Sequence, residues 1–268
     1  MPDVYATITD ADLAVLERLA EILELRAADP QQVAIRDAYL DDVGFPEGAH
    51  VLEVGCGTGA VSRAIARRPE IGAVVASDPS PFFLERGREL ADGLPKLSFA
   101  EADARALPFD DGTFDAVVLH TALCHIPEPA AALAEAYRVL RGGGSLVVFD
   151  GDYVTTTVSV GRIDPLQSCA EAAVAYLVHD PFLVRRLPTL VGAAGFDDVR
   201  IRSHGYTEAP RGGYMLAILE RGAEALAADG VIGSDLANAL KGEALRRSDE
   251  SEFFGHIAYA SVIARRPA

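Results

Sequence analysis

Nine residues, Val51-Leu52-Glu53-Val54-Gly55-Cys56-Gly57-Thr58-Gly59, restrict the fold more than any other stretch of the chain. The apolar run is too short for a helix. It leads into an acid, and three glycines follow at alternate positions. Glycine lacks a Cβ, so its backbone can turn sharply and lie close against a ligand. A glycine-rich turn between a strand and a helix is where α/β proteins bind nucleotide-like ligands.

The pattern around this turn is β-α repeated. Strands are predicted at 50–54, at Val74–Ser77 ending on Asp78, and at 97–101, 114–119 and 145–149. Helices are predicted at 59–67, from Pro81 to Leu90, and at 129–140, the last closed by Gly142-Gly143-Gly144 as a left-handed C-cap. Apolar strands alternating with amphipathic helices indicate a doubly wound, mostly parallel sheet. Ahead of it, helical periodicity covers 11–28, with Asp10 as its N-cap, and 31–42. Beyond 150 the rhythm changes. Helices are predicted at 164–178, 181–194 and, split by Gly230, within 211–247. Strands are predicted at 199–203 and 256–264. The expected organisation is an N-terminal helical cap (1–45), a ligand-binding α/β core (46–150), and a segment (151–268) that completes the sheet and adds helical cap inserts at 151–190 and 207–250.

Composition narrows the partners. A formal net charge of −16 repels phosphate backbones and disfavours a nucleic-acid substrate. Three cysteines, Cys56, Cys124 and Cys169, without a C-x-x-C pair argue against a disulfide framework or a zinc site and suit a reducing cytoplasm. The first residues lack the basic and apolar regions of a signal peptide, and the longest apolar run, 172–178, is too short to span a bilayer, so no membrane association is expected.

The loop itself is similar to the Glu/Asp-x-Gly-x-Gly-x-Gly signature of class I S-adenosylmethionine (SAM)-dependent methyltransferases. Gly55, Gly57 and Ala60 also satisfy the dinucleotide fingerprint G-x-G-x-x-G/A. An acid at position 53 suits an amine better than a pyrophosphate, because like charges repel. The resemblance extends through 50–150. Pro79-Ser80-Pro81-Phe82-Phe83-Leu84 looks like the family's Asp-x-Ser-x-x-Met-Leu segment, and Glu101-Ala102-Asp103-Ala104-Arg105-Ala106-Leu107-Pro108-Phe109 resembles its Gly-Asp-Ala-x-x-Leu-Pro-Phe stretch. It points to the group that includes quinone-biosynthesis C-methyltransferases and many secondary-metabolite enzymes, with a seven-stranded Rossmann-like sheet and a helical cap.

The resemblance implies SAM as cofactor and S-adenosylhomocysteine as product. It implies roles for Gly55, Cys56, Gly57 and Gly59 in the loop, and for Glu53 on the methionyl amine. Asp78 would accept the ribose hydroxyls, with helix capping as the bland alternative. Phe83 would lie beside adenine, Pro79 would also contact the cofactor, and Asp103 and the Ala104 N–H would meet the adenine edge. His120, ending a strand, and His125, after a short loop, are placed to line the site or act as general base. Asp152 and Tyr153 are placed to meet a substrate. The expected activity is methyl transfer to an O, C or N atom of a small molecule. The alternatives are an enzyme using the sulfonium electrostatically for a rearrangement or cyclisation, and a non-catalytic SAM-binding protein. No metal motif appears. Oligomeric state is left open.

Overall fold

Strand β1 (Ala49–Val54) is buried on both faces except at His50, which explains its near-continuous apolar reading. The computed structural model describes residues 3–268. Around β1 lie β2 (Ile71–Asp78), β3 (Leu97–Glu101), β4 (Phe114–His120), β5 (Leu140–Thr157), β6 (Asp197–Glu208) and β7 (Gly255–Arg265). They form one seven-stranded sheet in the order β3-β2-β1-β4-β5-β7-β6. Strands β1 to β5 run parallel, and β7 is antiparallel to both neighbours. The chain order reverses between β1 and β4, which opens a crevice at their carboxyl ends.

Helices α3 (Ala60–Ala66), α4 (Pro81–Leu90) and α5 (Pro129–Val139) link the parallel strands, and α7 (Leu183–Ala193) leads into β6. Helices α1 (Leu13–Ala28), α2 (Pro30–Asp41), α6 (Leu166–Leu177), α8 (Tyr214–Ala228) and α9 (Ser234–Asp249) supply the remaining layers. Asp29 starts α2 by accepting from the Gln31 and Gln32 N–H groups. The expected cap on α1 is different. Asp10 sits in a short 3-10 turn, and the helix begins after Asp12 without a side-chain capping bond.

The Gly142–144 run does not cap a helix. Helix α5 ends at Val139, Leu140 is already extended, and the glycines lie within β5. Gly143, at φ +78°, donates its N–H to the Arg266 carbonyl at 2.8 Å. Strand β5 also runs well past the expected residue 149, because β7 continues to pair with it through Asp152↔Ala258 and Thr157↔His256. Asp150, Asp152 and Tyr153 are therefore strand residues, not a loop after the strand. The β-branched stretch from Thr155 is the end of the same strand, and β6 is longer at both ends than 199–203.

Helices α6 and α8 pack with almost no space between them. A Cβ at Gly222 would lie 1.9 Å from the Cys169 carbonyl oxygen and 2.7 Å from its carbon. Backbone cannot yield at that distance, so Gly222→Ala should lower stability by about 1–3 kcal/mol. Urea unfolding measures this, and an unchanged midpoint would mean that the contact is not tight.

Candidate cofactor and substrate site

The crevice holds a cavity of about 330 Å³. One wall is the β1–α3 turn. Gly55, Gly57 and Gly59 all have positive φ, at 71°, 52° and 75°. Space is also short: a Cβ would meet Ala122 Cβ at 2.6 Å from Gly55 and Leu23 Cδ1 at 2.9 Å from Gly57. The turn is internally braced. Gly55 N–H and Cys56 N–H both donate to the Ser77 carbonyl, at 2.8 and 2.9 Å. Gly55, Cys56, Gly57 and Thr58 line the cavity. Gly59 is not among the lining residues; it turns the chain into α3 against Phe99. The Cys56 thiol is buried, and that burial raises its pKa.

Two buried acids face this turn. Glu53 is 1 % exposed, between β2 and β4, and accepts a hydrogen bond from Ser62 Oγ. Burial pushes its pKa up to about 8, against the opposing pull of the Ser62 bonds. Asp78 accepts from the Gly57 N–H at 2.8 Å and the Ser80 N–H at 2.9 Å. Burial raises its pKa to about 6, although both backbone bonds work the other way. Asp78 does not cap α4; Ser80 does, accepting from the Phe83 N–H.

Pro79, Phe83, Asp103 and Ala104 line the same cavity, and Phe83 is fully buried. Asp103 is already engaged: Arg105 donates to it from Nη2 at 2.7 Å and from its backbone N–H at 2.8 Å. The Arg105 bond holds its carboxyl below the usual range.

His120 and His125 both reach the cavity. His120 stacks on Phe149 at 4.7 Å, and its Nδ1 lies 2.7 Å from Tyr39 Oη. Burial, with Arg26 and Arg36 nearby, drives its pKa well down, so the ring is neutral. His125 Nδ1 lies 2.6 Å from Asp3 Oδ2. A carboxylate only accepts, so Nδ1 carries a proton and Nε2 is the ring's other nitrogen. Asp3 is itself buried and accepts from the Tyr5 and His179 N–H groups. Tyr153 lines the cavity, whereas Asp152 does not; its carboxylate pairs with Arg185 Nε at 3.1 Å.

Sequence reasoning missed Asp3, Tyr5, Arg26, Gln32, Tyr214 and Arg221. Asp3 touches the site, and the others line it. Helical periodicity marks positions such as 26 and 221 as ordinary helix faces, and no local pattern shows which face meets the crevice. The three variable segments do all reach the cavity: Tyr5 and Ile22 from the first, Tyr153 and Val174 from the second, Tyr214 and Ile218 from the third. Among the described residues no group of three His, Cys, Asp or Glu side chains is placed to hold a metal ion.

The profile of a methyltransferase domain family matches residues 52–148, the segment that carries the turn, both buried acids and His120. Over these residues the chain is similar to a methyltransferase domain. A demethylmenaquinone methyltransferase of Clavibacter sepedonicus is 43% identical over 102 residues, covering 38% of this chain and 40% of that protein. The matches span about a third to a half of the length of the curated relatives. A putative methyltransferase from Bacillus halodurans C-125 superposes with a TM-score of 0.62 at 21% identity, covering 87% of this chain and 99% of that one. The [4+2]-cyclase SpnF superposes at 0.54 with 26% identity, over 88% and 81%. Solved neighbours of this fold include complexes with S-adenosyl-L-methionine and with S-adenosylhomocysteine.

The buried acids give the domain a pH signature. Both folded-state pKa values lie above their unfolded values, so the folded chain binds more protons across the window between them. The stability this provides is full below the ordinary carboxylate range and is lost as pH rises through about 6 for Asp78 and about 8 for Glu53. Free of ligand, the protein should melt at a lower temperature at alkaline than at mildly acidic pH. Glu53→Gln should flatten that slope, and a variant with the full slope would remove Glu53 as its source.

Proposed function

We propose that the chain is a SAM-dependent methyltransferase acting on an O, C or N atom of a small molecule. The observation that carries this reading is the pair of buried acids, Glu53 and Asp78, on either side of one glycine turn, with a tyrosine-lined cavity beyond them. When bound, SAM supplies a methyl carbon already activated by its sulfonium. The chain's own work is then to bind, align and exclude water.

Glu53 receives the methionyl ammonium, a cation that offsets the cost of an ionised buried carboxylate. Asp78 uses its two backbone bonds to fix its plane, and its remaining lone pairs accept the ribose hydroxyls. Phe83 and Pro79 pack against adenine, and Asp103 with the Ala104 N–H reads its edge. His125, its Nδ1 held by Asp3, offers Nε2 as a base where the acceptor must lose a proton. Tyr153 contacts the acceptor. The segments 1–45, 151–190 and 207–250 form a lid that opens for exchange and closes to shield the methyl group. The net charge of −16 and three free, buried cysteines accord with a small-molecule substrate and a reducing, cytoplasmic setting.

Methyl transfer is preferred to electrostatic use of the sulfonium, because the domain match and the curated relatives bear the methyltransferase name. Calorimetry tests the cofactor. S-adenosylhomocysteine should bind and NADH should not. Asp78→Ala should weaken S-adenosylhomocysteine binding by about 1.5–3 kcal/mol, the worth of bonds to a charged acceptor. Binding of NADH without S-adenosylhomocysteine would overturn the reading.

A further inference from the structure

The acids that line the cavity all have partners. Glu53 is held by Ser62, Asp78 by two backbone N–H groups, and Asp103 by Arg105. Two of its cations are not matched in this way. Arg26, in the last turn of α1, donates from Nη2 to Thr121 Oγ1 at 2.7 Å, and its guanidinium lies 5.8 Å from the centre of the Tyr214 ring. Arg221, on α8, lines the same cavity. Among the described residues, neither has a carboxylate within 4.0 Å, although this chain carries 40 acidic residues against 24 basic ones.

The surroundings add donors rather than anions. Both guanidinium groups act electrostatically on Tyr5, and Tyr153 and Tyr214 also line the cavity. Gln32, another lining residue, has a buried Nε2 beside the buried Tyr259 hydroxyl, and neither group makes a well-formed hydrogen bond. Guanidinium has five N–H donors and no acceptor, and it stays charged. Arg26 and Arg221 are half-buried without a counter-ion, and an anion in the cavity offsets the cost of that partial desolvation.

We propose that Arg26 and Arg221 form a carboxylate-binding site between the glycine turn and the tyrosine-lined end of the cavity. The inference rests on the methyltransferase reading, which offers two sources for this chemistry: the methionyl carboxylate of the cofactor, and a carboxylate on the acceptor. Planar, forked guanidinium matches a carboxylate bidentately in either case. Position favours a boundary role. Arg26 is tied to Thr121, next to the Ala122 that packs on Gly55, while Arg221 comes from the helix that also contributes Tyr214 and Ile218.

Calorimetry on wild type, Arg26→Gln and Arg221→Gln separates the sources. The first arm compares S-adenosylhomocysteine with its decarboxylated analogue, which keeps adenosine, sulfur and amine. The second, in saturating S-adenosylhomocysteine, compares benzoate and phenylacetate with their amides. A cofactor source gives wild type a preference for S-adenosylhomocysteine of about tenfold to a hundredfold, which Arg26→Gln abolishes. An acceptor source gives a preference for carboxylate over amide that Arg26→Gln or Arg221→Gln abolishes. No carboxylate preference in either arm, or one that survives both substitutions, overturns the proposal. Arg26→Lys keeps the charge and should retain part of the preference, which separates charge from packing. Wild type that binds no S-adenosylhomocysteine strikes the methyltransferase reading itself.

Discussion

A carboxyl group at the end of the central strand of a parallel sheet is the constraint on which the rest of this site depends. Glu53 is paired on one side with Ala76 and on the other with Val118, and almost no solvent reaches it. A lone carboxylate there would be far too costly, so the group holds its proton and leans on Ser62. An adjacent cation reverses that balance. The position is thus poised between a neutral state without ligand and an ionised state beside an ammonium group. Asp78, one strand away, is withdrawn less severely and is fixed by two N–H donors, which suits neutral hydroxyls better than a cation.

The turn that joins these acids is held from outside the core as well as from within. Glu24 of α1 accepts from Thr58 Oγ1 at 2.5 Å and pairs with Arg63 at 2.7 Å, and Arg63 also donates to the Thr58 carbonyl. Leu23 packs over Gly57. One face of α1 therefore covers the glycine turn, and its last turn carries Arg26 into the cavity. At the other end of the N-terminal segment, Asp3 ties to His125 and to the His179 N–H. The same N-terminal segment thus both covers the glycine turn and holds the ring of His125.

The parallel core was legible in the sequence because its signals are local. A buried strand reads as an apolar run, and a ligand turn needs glycines at fixed offsets. The signal failed where tertiary pairing overrode a local break. Gly142-Gly143-Gly144 read as a helix cap and the strand after it was expected to end at 149, yet pairing with β7 extends one strand past both points. Asp152 sat two residues from a buried acid and read as a substrate contact, but its partner, Arg185, lies on α7, 33 residues on. The cap was legible only as helices. Which of their faces meets the crevice depends on packing between distant segments, such as the close approach at Gly222, and for that reason Arg26 and Arg221 were invisible as site residues.

The claim that Glu53 waits protonated for a cation has a direct measurement. Calorimetric titration with S-adenosylhomocysteine near neutral pH, repeated in buffers of different ionisation enthalpy, counts the protons exchanged on binding. Wild type should release a proton as Glu53 ionises beside the ammonium, and Glu53→Gln should bind with no such release. Binding of S-adenosylhomocysteine to wild type with no proton released, or with proton uptake, would contradict the account.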